Sequence, residues 1–153
     1  MHKRWKLPPP IKIYEALGAI ADGRVELINE LQAKVTSSSG NKAYDVAFDP
    51  NTRELSVNDN GSYYQGYVGY PALAVLMIKG ILPFNETLSE KFKGIHWKQL
   101  NQENKNDFDK TVEQLFTLAP QREFEAFAQE VLAILNTLTL HRPNDIPKPP
   151  SEW

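Results

Sequence analysis

Four tyrosines, Tyr63, Tyr64, Tyr67 and Tyr70, stand in one glycine-laced stretch, "NDNGSYYQGYVGYP". Aromatic faces stack on nucleobases and peptide side chains, so such a cluster is a candidate recognition platform. The competing reading is packing, with the rings wedging the loop onto a sheet and the hydroxyls reaching water. Tyr63, Tyr67 and Tyr70 would share one face of a helix, but Gly66 and Gly69 argue for a loop or an irregular turn. A second group is basic: Lys3, Arg4, Trp5 and Lys6, with His2 before them and Lys12 after. Arms of this kind contact phosphates without sequence preference. They also occur simply as solvated termini, and the prolines that follow suit docking on an aromatic groove.

Other reactive side chains are scattered. His2, His96 and His141 lie far apart, and none has a second histidine at ligand spacing; His96 is expected at a helix entry. Asp107, Asp109 and Glu113 crowd one helix start, where acids complement the macrodipole. Asp109 and Glu113 are also spaced to flank a cation or a basic partner. The phosphate-loop, dinucleotide, nucleophile-elbow and zincin motifs are missing, so no catalytic residue is assigned. A third reading, after binding and self-association, is an enzyme with no recognisable motif, which a deep pocket holding two or more polar groups with shifted pKa values would strengthen.

The chain has 153 residues, enough for one domain with a substantial core. Its formal charge of -2 does not suit a protein built to coat nucleic acid, although a local basic patch remains compatible with it. With no cysteine there is no disulfide, thiol nucleophile or cysteine-ligated metal, which fits a cytoplasmic location. No apolar run approaches the roughly 20 residues that span a bilayer, so no membrane role is expected. Prolines interrupt the N-terminal segment where a signal peptide would be apolar. "NET" at Asn85–Thr87 matches a glycosylation sequon, but without a secretion signal it is read as incidental.

The elements that must position these groups follow from periodicity. Residues 1–10 read as a basic, proline-rich arm, and residues 11–140 as a single α+β domain. Residues 141–153 read as an extended, proline-rich tail. Ile13, Leu17 and Ile20 give a helix between Pro10 and Gly23. Residues 24–36 fit a strand or a helix; the strand is preferred, broken at Asn29. Tyr44, Val46 and Phe48 alternate into a hairpin turned by "DPNT", with Asp49 bonding the backbone ahead. Together these predict a three-stranded antiparallel meander. Pro71 to Lys79 reads as a short buried helix ended by Gly80. Residues 84–140 are helical: a two-turn helix capped by Asn85, a helix over "DFDKTVEQLFTLA", and a strongly amphipathic one after Pro120. Phe124, Phe127, Ala128, Val131, Leu135 and Leu138 share a face of that last helix.

Residues 33–80 resemble the SWIM zinc-finger pattern. Ser38, Ser39, Gly40, Tyr44, Val46, Asp49 and the helix "ALAVLM" match its flanking features. The ligands depart from it: Ser56-Val57-Asn58 stands where the family has Cys-x-Cys, and Gly69-Tyr70-Pro71 where it has Cys-x-His. These side chains do not form a structural zinc site, so neither metal nor cofactor is expected. The resemblance implies a ββα unit that binds nucleic acid or protein. A zinc would tie the hairpin end to the helix start, and the tyrosines occupy that loop. Each buried aromatic removes about 150–250 Å² from water at about 25 cal/mol per Å², so three half-buried rings would offset a missing staple to within several kcal/mol.

The functional expectation is a non-catalytic protein- or nucleic-acid-binding module. Its candidate contact residues are Lys3, Arg4, Trp5, Lys12, Tyr63, Tyr64, Tyr67 and Tyr70. The alternative is a self-associating scaffold, a homo-oligomer joined through Phe124, Phe127 and Val131.

Overall fold

Three prolines delay helix formation until Ile11, because proline lacks the donor a helix interior needs. The computed structural model, which describes residues 3–117 and 120–150, starts helix α1 there, at Ile11–Ala21. Gly23, at φ 69°, ends it. Its amide donates to Ile20 O at 3.0 Å and that of Arg24 to Ala19 O at 2.9 Å, the paired bonds of a Schellman stop. Helix α2, Tyr70–Ile78, ends the same way around Gly80.

Residues 24–36 form two strands rather than one. β2 (Val25–Leu27) and β3 (Gln32–Thr36) pair antiparallel. Asn29, expected only to interrupt a strand, closes the turn: its Oδ1 accepts from Leu31 N at 3.0 Å and Gln32 N at 2.9 Å. β4 (Ala43–Asp49) and β5 (Glu54–Val57) form the expected hairpin. Asp49 Oδ1 accepts from Asn51 N at 2.9 Å in its turn.

The sheet is larger than three strands. The arm supplies β1 (Lys3–Arg4) and the tail supplies β6 (His141–Arg142), giving the order β1-β6-β5-β4-β3-β2. The β5–β6 pairing is parallel, so the sheet is mixed. A local reading of two short, charged, proline-flanked segments has no signal for pairing partners more than a hundred residues apart. Leu118 and Ala119, the predicted end of the helix before Pro120, lie outside the described residues, as do His2 and residues 151–153.

One face of the sheet buries Ala33, Val35, Val46, Phe48, Leu55 and Val57. Lys34 and Asp45 lie exposed on the other, 4.0 Å apart. Helix α2 lies on the buried face, with α1 packed over it. All but the ends of α2 is apolar and buried, as a helix without a polar side must be. Four helices complete the α+β fold: α3 (Glu86–Lys91), α4 (Trp97–Glu103), α5 (Phe108–Leu115) and α6 (Gln121–Leu138). Asn85 caps α3 as expected, its Oδ1 accepting from Leu88 N at 2.9 Å.

The apolar face of α6 is consumed inside the chain. Phe124, Phe127, Ala128, Val131 and Leu135 are all buried. Phe124, Phe127 and Val131 therefore leave no free face for a second copy, which removes the observation that motivated a self-associating scaffold.

Gly18 sits in the middle of α1, where glycine ordinarily costs about 1 kcal/mol against alanine. A Cβ there would lie 2.8 Å from Trp97 Nε1 and 3.2 Å from Phe92 O. Gly18→Ala is therefore expected to lower unfolding stability by about 1–3 kcal/mol in urea melts, as overpacking does. A gain in stability would show that α4 yields to the methyl group.

Candidate functional site

The stretch after β5 turns on a buried carboxylate. Asp59 Oδ1 accepts from Ser62 Oγ at 2.5 Å, and Oδ2 accepts from Ser62 N at 3.3 Å. Ser62 Oγ in turn accepts from Gly69 N at 2.9 Å. Burial pushes the Asp59 carboxyl above its ordinary value, and the Ser62 bonds and Lys12 offset this only in part. Between these anchors Gly61–Gln65 form a π-helical turn closed by Gly66 at φ 78°. Two glycines permit the close fit. A Cβ on Gly69 would overlap the Asp59 carboxyl, and one on Gly61 would overlap the Tyr67 phenol. Arg142 holds the turn from behind, donating to Ser62 O at 3.2 Å and Tyr63 O at 3.1 Å while lying over the Trp5 ring.

This turn, the first turn of α1 and helix α4 wall a cleft of about 630 Å³. Lys12 and Glu15 reach it from α1, with Nζ and Oε2 2.9 Å apart. The Lys12 ammonium also lies 4.7 Å from the centre of the Phe108 ring. Burial pulls the Lys12 pKa down, but Glu15, Tyr67 and Asp59 outweigh that and leave it raised. Asn101, from α4, donates its amide to Glu15 Oε1 at 3.2 Å. Burial raises the Tyr67 and Tyr70 phenols, keeping both protonated.

The predicted contact residues divide into four sets, of which half-buried Tyr63, outside the cleft lining, is one by itself. Lys12, Tyr64, Tyr67 and Tyr70 line this one cleft. Tyr64 is 69% exposed, with Tyr63 edge-on to it at 4.9 Å. Tyr67 and Tyr70 are half-buried, and Tyr70 meets Tyr44 of β4 edge-on at 6.1 Å. Lys3 and Arg4 are exposed on β1, where Arg4 donates to Asn136 O at 2.8 Å. Trp5 lies in the core, its indole donating to Leu55 O at 2.9 Å, so its ring offers no contact surface. The arm nevertheless runs beside the tyrosine loop: Lys6 N donates to Gly66 O and Val68 N to Lys6 O.

Glu15, Asp59 and Asn101 were not among the predicted site residues. Glu15 carries a signal, as a lone acid on the otherwise apolar inner face of α1, one turn from Lys12. Asp59 has a weaker one, a serine three residues on. Asn101 has none, because its role arises only where α4 crosses α1. Asp107 caps α5, with Oδ1 accepting from Lys110 N at 3.3 Å, as an acid at a helix start should. His96 is exposed at the start of α4.

Hairpin and helix are joined where the resemblance would place metal ligands, but by different chemistry. Asp59–Ser62–Gly69 ties the loop to the start of α2 and Tyr70 packs on Tyr44, while Asn58 Oδ1, accepting from Asp45 N at 2.7 Å, closes the end of the hairpin itself. Among the described residues, no group of three or more His, Cys, Asp or Glu is placed to hold a metal ion. No described helix is long and apolar enough to cross a membrane.

No curated protein and no solved structure matches the chain. A family model described as uncharacterised conserved protein UCP014422 matches residues 5–142, from Trp5 in the core to Arg142 behind the tyrosine turn, and the chain belongs to that family.

Proposed function

We propose that this protein is a non-catalytic binding module, built on a zinc-free SWIM-like unit, whose cleft takes single-stranded nucleic acid. One observation carries the reading: exposed Tyr64, half-buried Tyr67 and Tyr70, and Lys12 surround a single cleft. Aromatic faces supply stacking on any base, and cations track the backbone. Lys42 and Lys98 also line the cleft, and the basic arm continues from its tyrosine wall through Lys6. Of the two carboxylates present, Glu15 is neutralised by Lys12, and burial favours the neutral form of Asp59. The exposed acids Asp109, Glu113, Glu123, Glu125 and Glu130 lie on α5 and α6, which accounts for the negative net charge. The SWIM-like part of the reading is supported by the β3–β4–β5 meander leading through a loop into α2.

Fluorescence anisotropy with a labelled single-stranded oligonucleotide tests this. Affinity is expected to fall steeply with salt, and Tyr64→Ala to weaken binding about tenfold, since stacking is worth about 1–3 kcal/mol per base. Lys3→Ala and Arg4→Ala are each expected to flatten the salt slope by about one unit. Absent or salt-independent binding overturns the proposal. An enzyme is the second reading, favoured by raised pKa values for Lys12, Asp59 and Tyr67 around one cleft. The raised value of Asp59 follows from its burial and its carboxyl is engaged by Ser62, so binding comes first. Cleavage or modification of the bound strand would reverse that order.

A further inference from the structure

We infer that this protein forms a two-fold dimer through the open edge of β2, which pairs with β2 of a second copy. Among the described residues the sheet has two edges, β1 and β2. β1 carries Lys3 and Arg4, and charge of this kind blunts an edge against pairing. β2, Val25-Glu26-Leu27, carries neither lysine nor proline. Its bonding pattern shows which groups are unused. Thr36 N donates to Arg24 O and Ile28 N to Gln32 O, and Glu26 lies opposite Lys34. Bonded and unbonded positions alternate along an antiparallel pair, so Arg24, Glu26 and Ile28 turn their backbone groups to β3. Val25 and Leu27 therefore turn theirs outward, where no described strand lies.

The side chains beside this edge are apolar. Leu27, Ile28 and Leu31 are 49%, 49% and 45% exposed, and Ile78, at the end of α2, is 42% exposed. Lys79 donates its ammonium to Glu30 O, which holds the β2–β3 turn against the end of α2 and brings Ile78 to the same patch. An unpaired strand edge takes an extended partner. With outward groups on only two residues, a free peptide would gain few bonds for the entropy of its ordering. A second copy brings a strand already ordered, with its own apolar residues beside it. The charges favour the same occupant. Glu26, Glu30, Lys34 and Lys79 leave the rim neutral, so it selects neither an acidic nor a basic partner and complements itself. A register centred on Glu26 would set like charges directly opposite. Centred on Leu27, the two strands exchange N–H and C=O bonds at that residue, and the apolar patches of both copies are brought toward the axis. Such a contact is isologous and closes at two copies.

Sedimentation equilibrium of the whole protein from about 1 to about 100 μM tests this. A dimer is expected, with a Kd on the order of 10 μM, as suits a small interface. Leu27→Lys is expected to weaken it at least about tenfold, by removing apolar contact and setting like charges on the axis. Leu27 is half exposed, so the variant monomer is expected to keep the circular dichroism and melting temperature of the wild type. Should it not fold, Ile28→Lys, equally exposed, is expected to act in the same direction. Tyr64→Ala, in the cleft, is expected to leave the dimer unchanged. A wild-type monomer at the highest concentration overturns the inference, the edge then being open to a strand of another protein. A dimer that either lysine variant leaves intact, or that Tyr64→Ala dissolves, overturns it too, because association then runs through a different surface.

Discussion

Gly69→Ala is expected to cost about 3–5 kcal/mol of stability, since two or three buried polar groups would lose partners at about 1–3 kcal/mol each. Backbone strain is not the reason, since Gly69 has φ -73° and ψ 168°, which any residue adopts. The added methyl group would occupy the space of the Asp59 carboxyl. Either the carboxyl leaves Ser62, or the start of α2 moves off the sheet. In both cases Asp59, Ser62 Oγ and Gly69 N lose partners they cannot replace in the core. A fall of roughly ten degrees or more in melting temperature would follow for a chain of this size.

Asp59→Asn separates charge from shape in the same knot, because an amide oxygen still accepts from Ser62. The folded pKa of Asp59 is raised above its ordinary 3.8. Its neutral form is thus favoured by folding: its contribution to stability is complete below that ordinary value and declines as pH rises through the folded pKa. Urea midpoints measured between about pH 4 and 7 should show this decline in the wild type and lose it in the asparagine variant. Parallel profiles for the two proteins would show that Asp59 is not the group responsible.

Phe124→Ala carries the second large effect, about 3–5 kcal/mol by the usual cost of emptying a buried aromatic site. The ring is fully buried and stacks on Phe92 at 5.1 Å. It also meets Tyr14 edge-on at 5.3 Å and Phe116 at 5.7 Å. One side chain of α6 thereby joins α1 to the residues that follow α3 and α5. The cavity would have to be filled by collapse of several elements at once, which close packing resists. A separate readout exists in Tyr14, whose phenol burial pushes up to about 12. Opening the cluster to water should move its alkaline titration toward the ordinary 10.0, visible in ultraviolet absorbance. A stability loss below about 1 kcal/mol with an unchanged Tyr14 would mean that neighbouring side chains fill the space.

Much of the framework is legible locally. Pro10 and Gly23 bound α1, Tyr44, Val46 and Phe48 alternate along β4, Asn85 caps α3, and the Phe124 face of α6 repeats with helical period. Each is decided by bonds and burial within one element and its neighbours. Trp5 is the instructive failure, because a tryptophan among charges reads as a contact residue. Its burial depends on Leu55 O and Arg142, supplied by strands far away in sequence.

The tyrosine stretch shows the same division. By itself the sequence determines that residues 56–70 cannot form a structural zinc site and that glycines keep Tyr63, Tyr64 and Tyr67 off a regular α-helix. The hairpin before it and the buried helix after it are equally local, since φ preferences, turn chemistry and apolar periodicity act over a few residues. Only the tertiary structure decides which tyrosines face a cleft, that Asp59 and Ser62 tie the loop to Gly69, and that Glu15 and Asn101 meet beside Lys12. Those outcomes depend on how α1, α4 and the sheet cross, and a hydrogen bond between residues 86 positions apart leaves no periodicity in either segment.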